Sequence, residues 1–179
     1  QLDCSEYKQL IFNKETAYAE SGYDKEHLQD LLVSYADFSN NCRQDSITPE
    51  FLMRRADLLR GEGKIRAAIS QFKAVHDGFP SYPNKITCAF IAAFLYETEL
   101  NDRETAEKLY LQIIESYPES HEASVARVSL RHLHETSDEL ISRLKKKWIK
   151  STTVSLKTTL INFWKLTMKK IRINPDIFR

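Results

Sequence analysis

At 179 residues the chain can hold one ordinary domain, or three to four helical repeats plus an appendage. With only 4 Gly and 5 Pro, both poor residues inside helices, the composition favours a mainly helical protein. The formal charge of +1 points to no strong partner preference, yet it conceals two opposite halves. Up to Ser142 there are 15 Lys plus Arg against 24 Asp plus Glu, and from Arg143 onward 11 against 1. An acidic body thus carries a basic tail. Cys4, Cys42 and Cys88 are too few and too scattered to predict a disulfide framework or a zinc site. No uncharged run reaches the roughly 18 residues that span a bilayer, which predicts a soluble or peripheral protein.

In chain order, Tyr7, Leu10, Ile11 and Tyr18 form a helical stripe over about 5–19, with Ser5 as the expected N-cap. Ser21-Gly22-Tyr23 breaks it. A second helix opens at Asp24 and places Leu28, Leu31, Leu32, Tyr35 and Phe38 on one face before Asn40-Asn41 close it. Pro49 suits a helical first turn, with Thr48 as its expected cap. Helices are then expected over 49–60, 65–78, a stretch after Pro83 containing Ala89, Ala93 and Tyr96, 103–117 and 122–134. Ser137 is expected to cap a further helix through Leu140, Ile141 and Leu144.

One phrase occurs twice within this series. Ala68, Phe72 and Pro80 follow a loop at Gly63-Lys64, and Ala106, Tyr110 and Pro118 follow a loop at Asn101-Asp102 with the same internal spacing. A small residue, an aromatic four later and a proline eight after that resemble the second half of a tetratricopeptide repeat. The resemblance covers about residues 45–140 well and 5–42 loosely. It implies an all-α, tetratricopeptide-like α-α solenoid of about three to four helix pairs over 5–144, followed by a basic amphipathic extension over 145–179. In such a stack a small residue on each helix lets the paired axes approach closely, here Ala56 against Ala68. The long repeats and the Tyr-Pro ending are similar to small cell-envelope members of the family in Gram-negative bacteria. That likeness implies a periplasmic or outer-membrane-associated location, with the cytoplasm as the alternative.

Catalysis is not expected. His132 and His134, two residues apart, point to different faces of a helix and cannot chelate together, and Gly61-Glu62-Gly63-Lys64 lacks the spacing of a phosphate loop. No cofactor or metal is implied.

The family frame instead implies a groove for a protein or peptide partner, lined by Glu50, Met53, Asp57 and Arg60, then Phe90, Phe94 and Glu97, then Arg127 and Arg131. Phe90 with Phe94, and Arg127 with Arg131, are pairs four apart that share a face; the alternative is that the phenylalanines are core and the arginines solvated. Cys4 is a candidate for lipidation at a mature N-terminus, although Leu2-Asp3 is a poor match to the small residues that normally precede such a cysteine. In the tail, Trp148, Phe163 and Trp164 with Lys146 and Lys169 suit either a helix that caps the stack or an amphipathic segment lying on an anionic membrane; nucleic acid is the weakest fit.

Overall fold

The computed structural model describes residues 2–135 and 138–146, and the fold is given for these. All the regular structure among them is helical: α1 (Cys4–Glu20), α2 (Lys25–Asn41), α3 (Thr48–Gly61), α4 (Ile65–Gly78), α5 (Lys85–Thr98), α6 (Arg103–Ser116), α7 (His121–His134) and a further helical stretch over 138–146. The short turns between them leave each helix no course but to fold back on its predecessor. Each packs on the next from α1 to α6, and α7 reaches α6 and α5 through Ala126. The result is the α-solenoid expected from the sequence. No described helix is long and apolar enough to cross a membrane.

Local chemistry explains where the helices start. Asp3, not Ser5, caps α1: its carboxylate accepts from the N–H groups of Ser5 and Glu6, and Glu6 Oε2 accepts in return from Asp3 N–H at 2.9 Å. Asp24 and Asp102 cap α2 and α6 more simply, their carboxylates accepting from the N–H groups of His27 and Thr105. Thr48, expected as a cap, is instead the first residue of α3, behind Ile47. Its buried hydroxyl donates to the Cys42 carbonyl at 2.7 Å, tying the end of α2 to the start of α3. The turn that ends α3 needs a left-handed residue, supplied by Gly63 (φ 73°), and Asn101 (φ 52°) supplies it at the matching point after α5.

The core runs through the stack as three overlapping clusters. Ile11, Leu31, Tyr35, Phe38 and Phe51 join α1, α2 and α3. Leu28, Leu32, Leu52, Ala56, Ala68 and Phe72 join α2 to α4 and continue to Cys88, Ala92 and Leu95 of α5. Ala93, Ala106, Tyr110 and Ala126 join α5, α6 and α7. The duplicated residues Ala68 and Ala106, Phe72 and Tyr110 are all fully buried. Because α5 is sandwiched, its inward residues divide between two neighbours: Cys88, Ala92 and Leu95 face α4, and Ala93 faces α6. Ala89, named with Ala93 in the expected helix, is only half-buried.

Two cysteines expected to stand apart are joined. Cys4 at the start of α1 and Cys42 just past α2 form a disulfide, with their Cα atoms 5.8 Å apart. A sulfur held in that bond is not available to a lipid thioether, which corrects the lipidation reading of Cys4. The chain divides into two units after Leu133. In the second, residues 138–146 are helical, and Arg143 meets Glu135 through two bonds of 2.7 and 2.9 Å. Ser137, Trp148, Phe163, Trp164 and Lys169 lie outside the described residues; Lys146 is described and exposed.

Candidate functional site

The first helix of each pair contributes to one face of the stack, and side chains reach across it between alternate helices. Arg54 of α3 donates to Glu15 of α1 at 2.8 Å, Phe12 of α1 meets Phe51 of α3 edge-on at 5.7 Å, and Thr87 of α5 donates to Glu122 of α7 at 2.6 Å. On α3 the contacts form a ladder. The Tyr35 hydroxyl donates to Glu15, Arg54 bonds both Glu15 and Glu50, and the Tyr82 hydroxyl donates to Glu50 at 2.6 Å while lying 3.3 Å from Met53 Sδ. The charges hold one another in place. Burial by itself lowers the Arg54 pKa, but its bonds to Glu15 and Glu50 outweigh burial and leave it raised. The Tyr82 hydroxyl, followed by Arg54, draws Glu50 below the usual carboxylate range. Burial and the neighbouring carboxylate push the Tyr35 hydroxyl well above its ordinary value.

The residues expected to line a groove fall into different situations. Met53 is half-buried under Tyr82, and Asp57 and Arg60 pair with each other at 3.2 Å on the exposed side of α3. Phe90 and Phe94 stack at 6.4 Å, and Phe90 also lies 5.6 Å from the buried Tyr110. Phe90 is therefore anchored in the α5–α6–α7 cluster, while Phe94 stays 42% exposed beside it. Glu97 accepts from the Tyr110 hydroxyl at 2.7 Å. Arg127 donates to the Pro118 carbonyl at 2.9 Å, and Arg131, one turn later, is exposed.

Sequence reasoning missed the polar ladder and a second arginine, Arg55. Adjacent residues on a helix point about 100° apart, so Arg54 and Arg55 serve different sides of α3. Arg55 enters the space between α2 and α4, where its Nε donates to the Leu32 carbonyl at 3.1 Å and its Nη1 to Gln71 Oε1 at 2.8 Å. The Arg54-Arg55 doublet was visible in the sequence. Which acceptors each would meet depended on partners 16 to 39 residues away.

The described residues define an all-helical solenoid whose two central hairpins carry the tetratricopeptide-like pattern. No family model and no curated protein sequence matches the chain. Among solved structures it is similar to a tetratricopeptide repeat protein from Parabacteroides merdae, at 16% identity over 80% of this chain and 68% of that one, with a TM-score of 0.34.

Proposed function

We propose that this chain is a non-catalytic scaffold that holds a protein or peptide partner on the face built by α1, α3, α5 and α7. Phe94 carries the reading. It is a large apolar side chain left 42% exposed, with its neighbour Phe90 held rigid from behind, and a preorganised aromatic of this kind makes an efficient anchor. In this reading the groove extends from Met53, Asp57 and Arg60 through Phe90, Phe94 and Glu97 to Arg127 and Arg131. Changing Phe94 to Ala should weaken capture of the partner from a native extract about ten-fold or more while leaving the helical circular dichroism intact. Equal recovery of the same proteins by wild type and F94A would place the binding face elsewhere. The Cys4–Cys42 bond supports an oxidising compartment, in keeping with a bacterial envelope.

A second reading rests on charge: with 11 basic residues against 1 acidic from Arg143 onward, the extension over 145–179 suits an anionic membrane surface. The full chain is then expected to sediment with phosphatidylglycerol vesicles at low salt and to leave them at high salt. Failure to sediment with them at low salt removes this reading.

A further inference from the structure

We propose that the groove between α2 and α4, floored by Arg55, is a carboxylate-binding site, distinct from the partner face formed by the first helices of each pair. The groove encloses about 280 Å³. Ser39 and Asn40 at the end of α2 and Arg43 just past it line it, with Arg55 of α3, Gln71 of α4 and Phe79. None of its lining residues is acidic, on a body that carries more acids than bases.

The neighbouring arginine makes the contrast. Arg54 is neutralised by Glu15 and Glu50, whereas among the described residues Arg55 bonds only a backbone carbonyl and a side-chain amide and has no carboxylate within ion-pair distance. Burial acting alone lowers its pKa, with no neighbouring charge to offset it. A guanidinium has five N–H donors, and these two bonds use two of them. Among the described residues no buried side-chain nitrogen or oxygen lacks a partner, so the unbonded Nη2 is reachable from outside. Arg55 is thus a cation fixed in position by two neutral acceptors, with unused donors of the fork that matches a carboxylate. Arg43 at the rim adds a second positive charge.

The next groove along the stack, between α4 and α6, serves as an internal comparison. It is larger, about 420 Å³, but has Ala92 where the first has Arg55 and Asp77 where the first has Asn40. That groove has bases of its own, Lys73 and His76, but His76 bonds Asp77 at 2.6 Å, so an arginine held by neutral acceptors alone belongs to the first groove and not to the repeat. The surplus of acids on the body disfavours a dianion, which selects a singly charged carboxylate, such as the end of a peptide chain, over phosphate.

The test is a titration of the full chain with N-acetylglycine, followed by nuclear magnetic resonance of the Arg55 Nε–H and of the backbone amides of 36–43 and 71–79. Saturable shifts confined to these groups are expected. R55Q should weaken binding about ten-fold, the scale of a charge-assisted bond. R43Q, at the exposed rim, should weaken it by about three-fold. Unsaturable or scattered shifts in the wild type, or unchanged affinity in a folded R55Q, would overturn the site. If R55Q fails to fold, R43Q decides: unchanged affinity there, with no movement of the wild-type Arg55 Nε–H, overturns it equally. Inorganic phosphate saturating the same amides more tightly than N-acetylglycine overturns the carboxylate assignment.

Discussion

Phe51→Ala is expected to destabilise the protein by about 4 kcal/mol, measured as a lowered urea midpoint, the range typical of removing a fully enclosed phenyl ring. Phe51 is fully buried. Its ring meets Phe38 edge-on at 5.0 Å, lies tilted against Tyr35 at 5.3 Å, contacts Phe12 at 5.7 Å, and sits under the Arg54 guanidinium at 5.8 Å. Each ring pair adds geometric preference to the lost burial, and the remaining rings on α1 and α2 cannot all collapse into one void. The same substitution at Phe94 removes a ring already 42% exposed, so its cost should stay below about 1 kcal/mol. The pair of variants separates two roles that the sequence left open. If F94A destabilises as much as F51A, Phe94 is core and the proposed partner face loses its anchor.

The difference between these phenylalanines marks how far the sequence could be read. Ala68, Phe72, Ala106 and Tyr110 were legible because the second helix of each pair buries one narrow stripe, and a repeated stripe announces itself by spacing alone. All five apolar residues expected to share a face of α2 are buried for the same reason. In α5 the signal degenerates: with apolar residues on nearly every side, spacing could not say whether Cys88 or Ala89 faces α4. In α1 the expected stripe contributes only Ile11 as a fully buried residue, and Leu10 is 36% exposed. The helix is held in addition by polar contacts whose partners lie far along the chain, such as Glu15 with Arg54 and Lys8 with Asp45. Periodicity reports burial within a segment and carries no information on pairing between segments. The ladder, the Arg55 groove and the disulfide were therefore invisible, although every residue in them was in plain view.

Opening the Cys4–Cys42 disulfide should release α1 ahead of every other helix of the first unit. The bond closes a loop with a sequence separation of 38 that includes α1 and α2, and the chain-entropy account of such a loop assigns it about 4 kcal/mol. No other single contact on α1 matches that. Beyond Ile11, it is held by the ring contacts of Tyr7 with Phe38 at 5.8 Å and Phe12 with Phe51 at 5.7 Å, by the Glu15 contacts, and by the ion pairs of Lys8 with Asp45 at 2.9 Å and Lys14 with Asp30 at 2.7 Å; such ring pairs contribute about 0.5–1.5 kcal/mol beyond burial and partly solvated ion pairs about 0–1 kcal/mol each. Hydrogen exchange in α1 should consequently accelerate by up to about a thousand-fold after reduction or in C4S/C42S, the equivalent of 4 kcal/mol. Amides of α4 to α6 should keep their protection, since in a stack each helix pair depends on its immediate neighbours. Thiol labelling provides the control on the reduction itself. Cys88 is fully enclosed and burial pushes its thiol up to about 12, so the reduced, folded protein should label rapidly at two cysteines and at the third only on unfolding. Unchanged α1 protection in a protein that labels at two cysteines would show that packing and the polar ladder, rather than the covalent bond, hold α1 to the stack.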